Sequence, residues 1–118
     1  MKTLTRAEEQ VMQVLWKIEK GFLKDVMERM GEPKPHSNTV ATLLKILIDK
    51  KFVSTETFGR MNRYFPLITK QEYSKNTMSS LIKGYFGGSY SKAVSFLIDE
   101  KKLSIQDLEL LLHQLKKK

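Results

Sequence analysis

A chain of 118 residues is long enough to bury one core and too short for a multidomain enzyme. Its 21 Lys and Arg against 13 Asp and Glu give a net charge of +8, which suits a polyanionic partner such as nucleic acid or an acidic membrane surface. The absence of cysteine excludes disulfides, thiolate metal sites and cysteine nucleophiles, and no apolar run approaches the roughly 18 residues of a membrane span. We therefore expect a cytoplasmic protein.

The first two predicted elements are helices. Thr5 and Glu8 have the spacing of a capping box, and apolar residues then follow at three- and four-residue steps until Gly21. A second, shorter helix is predicted at about residues 23–30, with its apolar side chains facing inward. The Gly31–Pro35 segment contains two prolines and cannot continue that helix, so a loop is predicted there.

A third helix is predicted over residues 39–50, because its apolar side chains recur on one face. Ser37 and Asn38 are both good N-caps for this helix. Its other face is small and mildly polar near the amino end, where bulkier side chains would obstruct a partner. This face is therefore a candidate contact surface.

A β-hairpin is predicted next, since the pattern becomes β-branched and aromatic over residues 52–58 and again over residues 63–67. Residues 59–62 supply the turn and give the hairpin a basic tip. Three helices followed by a hairpin is the element order of a winged helix-turn-helix. In that fold the third helix enters the DNA major groove and the hairpin, or wing, lies along the backbone.

Three more helices are predicted after the wing. One runs from about residue 71 to the break at Gly87 and Gly88, one spans about residues 90–100, and one begins at Ser104 as its N-cap. Their apolar residues exceed what three short helices can bury among themselves, so we expect a homodimer. The residues expected to form it are Leu81, Ile82, Val94, Leu97, Ile98, Leu108, Leu111, Leu112 and Leu115.

The candidate DNA contacts lie on the third helix and the wing. Short polar side chains let a helix sit close to base edges, and cations around it neutralise phosphate charge. The polar candidates are Ser37, Asn38, Thr39 and Thr42, and the cationic candidates are Lys45, Arg60 and Arg63, with Lys50 and Lys51 beside them. Alternatively, Ser37 or Asn38 serves only as an N-cap, and the cations form a solvated face.

Catalytic motifs are missing from the sequence. His36 and His113 lie far apart, and no HExxH motif is present. The Gly87-Gly88 pair forms neither a phosphate loop nor a dinucleotide fingerprint, and no nucleophile elbow accompanies the scattered serines. We therefore expect no enzyme activity, no catalytic residues, no metal site and no cofactor.

Several short segments follow one another along the chain. They are Val11–Trp16 (VMQVLW), Thr39–Leu47 (TVATLLKIL) and Gly59–Leu67 (GRMNRYFPL), followed by Glu72-Tyr73, Phe86–Ser89 and Leu103-Ser104. In this order they resemble the penicillinase repressor family of bacterial regulators. That family includes the repressors of β-lactamase and methicillin-resistance genes and the copper-responsive repressors. Each is moderately specific alone, and together they cover nearly the whole chain.

The resemblance implies a mainly α protein with a small β-hairpin, acting as a dimeric transcriptional repressor. A winged-helix domain at residues 1–70 would read a palindromic DNA operator, and a helical region at residues 71–118 would form the dimer. Carried onto matching positions, Asn38, Thr39 and Thr42 fall on the recognition helix. Arg60 and Arg63 fall in the wing.

Two signals of that family lack a clear counterpart here. The β-lactamase repressors are inactivated by cleavage at an Asn-Phe bond, which this chain lacks, and the corresponding position counted from Gly87-Gly88 is Phe96-Leu97. The copper-responsive members use a C-terminal cysteine cluster, which is also missing. We hypothesise that release from DNA acts through the C-terminal helices, by a protease cutting around Ser95, Phe96 and Leu97 or by a sensor protein that opens the dimer.

Two other functions are compatible with the same residues. A winged helix can hold a protein partner without sequence-specific DNA binding, since fold does not fix function. The leucine-rich last helix with its basic end also fits a membrane surface, although such a stripe more often packs on another helix. DNA binding by a homodimer is the leading hypothesis, and no membrane partner is expected.

Overall fold

A computed structural model of the chain describes residues 3–116, and it describes their side chains except those of residues 111 and 114–116. The chain divides between Ser74 and Lys75 into two compact units. Within the described part, no helix is long and apolar enough to cross a membrane.

The first unit has the predicted order of three helices and a hairpin, which confirms the winged helix-turn-helix. An additional two-residue strand precedes the second helix and pairs with the hairpin, giving an antiparallel sheet of order β1-β3-β2. Two residues are too short to show a strand period, so the sequence pattern did not indicate this strand. The elements are α1 (Arg6–Ile18), β1 (Gly21–Phe22), α2 (Leu23–Arg29), α3 (Ser37–Asp49), β2 (Val53–Phe58) and β3 (Met61–Pro66).

The predicted capping box at the start of α1 is confirmed. The Thr5 hydroxyl accepts a hydrogen bond from the Glu8 backbone N–H at 3.2 Å, and the Glu8 carboxylate accepts one from the Thr5 N–H at 3.3 Å. The apolar face of α1 packs against α3 and the sheet. The most deeply buried side chains of this core are Val11, Met12, Leu15, Val26, Val40, Leu44, Leu47 and Val53.

The hairpin turn is tighter than the predicted four-residue turn. Only Gly59 and Arg60 lie between the strands, and Met61 and Asn62 belong to β3. Gly59 has a φ of +62°, which glycine adopts readily and which type II′ turns place at this position. The shorter turn sets the cross-strand register of the wing.

The helix that follows the wing starts on the first unit's core. α4 (Lys70–Phe86) places Tyr73 with its ring 5.7 Å from that of Trp16 and 5.8 Å from that of Phe52. The Tyr73 hydroxyl donates to a Glu9 carboxylate oxygen at 2.6 Å. The first turn of α4 is therefore part of the winged-helix core.

The second unit consists of the rest of α4 with α5 (Tyr90–Asp99) and α6 (Ile105–Lys116). Gly87 and Gly88 have φ values of +59° and +84°, so the predicted helix break is a left-handed turn that suits glycine. The predicted N-cap of the last helix is confirmed, because the Ser104 hydroxyl accepts from the backbone N–H of Asp107 at 3.0 Å.

A buried ion pair joins the start of α1 to the end of α3. The Glu8 carboxylate lies 2.5 Å from the Lys50 ammonium, and the two side chains are 5% and 22% exposed. Lys50 also donates to the backbone carbonyl of Thr3 at 3.0 Å. Burial raises the pKa of Glu8, but hydrogen bonds from Lys50 and Thr5 and the Lys50 charge outweigh it, so the pKa lies below its usual value.

We expect Lys50→Met to destabilise the fold by about 3 kcal/mol, because it leaves the Glu8 carboxylate buried without its partner. The matched control is Lys51→Met, which removes an exposed charge next to it and should change stability by less than about 0.5 kcal/mol. Urea denaturation of both variants measures the difference. Equal losses from the two substitutions would show that the pair does not stabilise the fold.

The same pair predicts a loss of stability in acid. Because the folded-state pKa of Glu8 is lowered, its contribution is fully present above the unfolded-state pKa and disappears as pH falls through the folded-state pKa. The free energy of unfolding should therefore differ most between the unaltered chain and Glu8→Gln near neutral pH, and the difference should shrink in acid. A difference that stays constant from about pH 7 to about pH 3 would contradict this assignment.

Candidate nucleic-acid interface

The amino end of α3 is capped by His36, not by Ser37 or Asn38 as predicted. His36 precedes the helix, and its Nδ1 accepts a hydrogen bond from the Asn38 backbone N–H at 3.1 Å. Ser37 is the first helical residue and is half-buried. The prediction was wrong because an imidazole nitrogen supplies the acceptor usually provided by a hydroxyl or an amide. The exposed Asn38 side chain is consequently not used as the cap.

One face of α3 is exposed while the opposite face forms the core. Asn38, Thr42, Lys45 and Asp49 follow one another at three- or four-residue steps, and all four are exposed. Thr39 is exposed beside them. The stripe is polar and uncharged in its first two turns. Among these four residues the one anion is Asp49, at the carboxyl end of the helix. Its amino-terminal half is therefore the part best suited to approach a polyanion.

The hydroxyl of Thr42 has a defined hydrogen-bonding role. Its Oγ1 donates to the backbone carbonyl of Asn38 at 2.8 Å, one turn earlier in the helix. With its proton used in this way, the oxygen offers lone pairs outward and acts as an acceptor. In a major groove such an acceptor matches the exocyclic amino groups of adenine and cytosine.

Two of the predicted phosphate contacts, Lys45 and Arg60, are exposed and form no ion pair with any residue that the structure describes. Lys45 lies on the exposed stripe of α3, and Arg60 lies at the tip of the wing. Lys51 is exposed as well. Lys50, in contrast, is turned inward to Glu8, so the prediction that it neutralises phosphate is not supported.

The loop before α3 is held by a lysine that sequence reasoning missed. The Lys34 ammonium donates to the backbone carbonyls of Glu28 at 2.8 Å and Met30 at 2.9 Å, at the end of α2. A cation there satisfies carbonyls that lack helical partners and favours the negative end of the helix dipole. A lysine four residues beyond a predicted helix end was the available signal. This contact fixes the approach to the amino end of α3.

Arg63 is engaged within the wing itself. Its Nη2 lies 3.1 Å from a Glu56 carboxylate oxygen, and its guanidinium carbon lies 4.7 Å above the Phe58 ring. The Glu56 carboxylate also lies 3.9 Å from the Lys20 ammonium. The predicted role of Arg63 as a phosphate contact is therefore not supported by the placement of its side chain. In the observed register, which the two-residue turn sets, Glu56 lies opposite Arg63. The predicted four-residue turn implied a different register, so the sequence analysis did not pair these two residues.

The second unit leaves much of its apolar surface uncovered. Ile82 and Ala93 are its only described buried residues, so Ile82 belongs to the core of this unit. Among the other predicted dimer residues, Leu81, Leu97 and Leu112 are exposed, and Val94, Ile98 and Leu108 are half-buried. Leu111 and Leu115 lie outside the residues whose side chains are described. Further exposed apolar side chains are those of Met78, Tyr85, Tyr90, Phe96, Ile105 and Leu110.

The predicted cleavage region lies in the middle of α5. Ser95, Phe96 and Leu97 are all exposed, and Phe96 still contacts Phe86, with the two ring centroids 5.7 Å apart. A protease binds its substrate as an extended strand, so a cut here requires local unfolding of a ten-residue helix. Within residues 3–116, no group of three or more His, Asp or Glu is placed to hold a metal ion.

Comparison with known proteins gives two sequence relatives. The chain matches the penicillinase repressor family over residues 4–117. An uncharacterised 16.5 kDa protein from the ptsI 3′ region of Latilactobacillus sakei is 30% identical over 107 residues, covering 89% of this chain and 73% of that protein. The penicillinase repressor of Bacillus licheniformis is 24% identical over 106 residues, covering 89% of this chain and 83% of that repressor.

One similar solved structure contains DNA. It is the solution structure of the Bacillus licheniformis BlaI monomeric form in complex with the blaP half-operator. The alignment covers 61% of this chain and 89% of that chain, with a TM-score of 0.52 and 27% sequence identity. This likeness supports the winged-helix fold.

Proposed function

This chain belongs to the penicillinase repressor family, a family of DNA-binding transcriptional repressors and not of enzymes, and we propose that it binds a palindromic operator as a homodimer. The observation that carries the proposal is the exposed polar stripe of α3, backed by the buried Val40, Leu44 and Leu47 of the same helix. A similar chain, BlaI, was solved with a half-operator, which supports duplex DNA as the partner. Repression follows if the bound protein excludes the transcription machinery.

Base reading is assigned to the first turns of α3. Asn38, Thr39 and Thr42 are short, polar and exposed, so they allow close approach to base edges and can bond them. Ser37 starts the helix, where the positive end of the helix dipole favours a phosphate. Lys45 contributes a phosphate contact further along the helix.

The wing contributes a second contact at a different point of the backbone. Arg60 lies at the tip of a short hairpin, with its side chain exposed. A guanidinium suits phosphate because it offers several donors in a planar fork. Contacts from a helix and from a wing orient the domain on the duplex without carrying sequence information by themselves.

Dimerisation is assigned to the second unit. Half or more of the surface of Phe96, Ile105, Leu110 and Leu112 is exposed there. Covering a leucine side chain is worth about 1.5 to 3 kcal/mol, so a few from each subunit offset the entropic cost of association. Two-fold symmetry would then place two copies of α3 in half-sites separated by a multiple of about 10.5 base pairs.

Release from DNA is assigned to the same unit. A dimer gains operator affinity through the effective concentration of its second domain, so separation of the subunits is a sufficient off switch. A protease acting at Ser95, Phe96 or Leu97, or a sensor protein that covers the apolar surface, would separate them. The exposure of this segment in a short helix supports that location.

Selection of bound sequences from random duplex DNA tests the proposal directly. The full chain should recover a palindrome with two half-sites, and the spacing of the half-sites reports the dimer geometry. Recovery of unrelated sequences with no shared motif would leave only non-specific electrostatic binding and would refute operator recognition. Recovery of a single half-site would refute binding as a symmetric dimer.

We expect Thr42→Ala and Arg60→Ala to affect the selected duplex differently. Loss of the Thr42 acceptor should alter base preference, at a cost of about 1 to 3 kcal/mol if it removes a good base contact. Loss of Arg60 should weaken binding to all sequences about equally. It should also reduce the salt slope, meaning the steepness with which log K falls as log salt concentration rises, by about one for each subunit bound. Affinities measured over a salt series on selected and scrambled duplexes separate the two. Equal, sequence-independent losses of affinity from both substitutions would show that Thr42 does not recognise bases.

We expect Leu97→Glu to convert the dimer to a monomer, because a charge replaces an exposed apolar side chain at the proposed interface. Operator affinity should fall by about 100-fold or more, while base preference is unchanged. The matched control is Gln106→Glu, which adds the same charge at an exposed polar position. Sedimentation and DNA titration measure both effects. A monomeric unaltered chain that binds the operator at full affinity would contradict this prediction.

A further inference from the structure

We infer that Arg63 is a positioning residue of the wing, kept from DNA by Glu56, and that Arg60 makes the wing's phosphate contact alone. This inference rests on the proposed function and assigns separate roles to two arginines that stand three residues apart. The first argument is the register of the sheet. On the central strand β3, Arg63 faces Glu56 of β2 on one side and Phe22 of β1 on the other. One side chain from each strand thus forms a single cross-strand row.

The contacts of the guanidinium occupy it from two directions. Nη2 is 3.1 Å from the Glu56 carboxylate, and the guanidinium carbon lies 4.7 Å above the ring of Phe58. Phe58 in turn packs edge-on against Phe22, with the ring centroids 6.0 Å apart. The Nε atom of Arg63 is buried and has no hydrogen-bond partner among the described residues. The side chain therefore lies along the sheet and is only 31% exposed.

Arg60 has none of these contacts. It occupies the second position of the turn, is exposed, and forms no ion pair with a described residue. For Arg63 to reach a phosphate it would have to leave the Phe58 ring and uncover the Glu56 carboxylate, which repels DNA. Glu56 therefore lowers the charge that the wing offers, and Arg63 instead holds Phe58, the last residue before the turn.

The consequence is a turn whose flanking residue Phe58 is held in place before DNA arrives. Ordering a long side chain or a loop during binding costs affinity, and a preformed tip avoids part of that cost. Arg63 thus acts on DNA binding through Arg60, without touching DNA. A phosphate contact and a positioning role differ in one measurable quantity, because only a contact contributes to the salt dependence of binding.

The test measures the salt slope of binding to the selected duplex for the full chain and five variants. Arg60→Ala should reduce the slope by about one for each subunit. Arg63→Met should weaken binding by roughly 2- to 10-fold with the slope unchanged. Glu56→Gln should steepen the slope by about one for each subunit, since it releases the Arg63 guanidinium. In Glu56→Gln combined with Arg63→Met, the slope should return to that of the unaltered chain.

The controls separate this inference from the proposed function. A slope reduced as much by Arg63→Met as by Arg60→Ala would show that Arg63 contacts phosphate, and would overturn the inference alone. An equal steepening of the slope by Glu56→Gln in the unaltered chain and in Arg63→Met would also overturn it, because the effect would then come from general removal of negative charge.

If Arg63→Met fails to fold in a thermal melt, the double variant Glu56→Gln with Arg60→Ala decides. Its slope should match that of the unaltered chain, and a slope as low as that of Arg60→Ala alone would overturn the inference. Absence of salt-dependent DNA binding by the unaltered chain would overturn both.

Discussion

A single buried carboxylate, that of Glu8, joins the start of α1 to the carboxyl end of α3, the helix proposed to contact DNA. It accepts a hydrogen bond from the backbone N–H of Thr5, the N-cap of α1, and pairs with Lys50, the C-cap of α3. One face of α3 is committed to the core and the other to solvent, so a small rotation of the helix would misplace both. An ion pair that anchors its end to α1 opposes such a rotation. The charge of Glu8 is tolerated at 4% residue exposure because Lys50 and Thr5 satisfy it.

The start of α3 is fixed by equally specific polar contacts. His36 caps the helix, and Lys34 holds the end of α2 in front of it. Lys34, like Lys50 and Arg63, is engaged in a contact within the protein. The net charge of +8 is therefore not all available for binding DNA. These three cations form intramolecular contacts that hold the helix and the wing. Lys45 and Arg60, in contrast, are exposed and form no ion pair with a described residue, so their charge remains available to phosphate.

The sequence predicted those features that depend on local patterns. The helices around Leu15, Leu44 and Ile82, and the helix break at Gly87 and Gly88, follow from apolar periodicity and glycine conformation. The family, the winged-helix fold and the absence of enzyme function are confirmed by the family match.

The features that sequence reasoning missed depend on contacts between distant residues or on a turn length. Lys50 and Glu8 are 42 residues apart, and no local pattern around Lys50 indicates that this distant carboxylate is its partner. The placement of Arg63 depends on a turn of two residues where four were predicted, which changes the residue that faces it. The sequence pattern also pointed to Ser37 or Asn38 as the N-cap of α3, whereas the imidazole of His36 serves as the cap.

We propose that the amino-terminal half of α3 and the tip of the wing form the DNA interface. The most direct measurement is an NMR titration of the ¹⁵N-labelled full chain with the selected duplex. The largest changes in amide chemical shift should fall on residues 37–45 and 58–61, while the outward face of α2 around Lys24 and Glu28 changes little. Changes confined to the second unit, with the amides of α3 unaffected, would contradict this placement of the DNA interface.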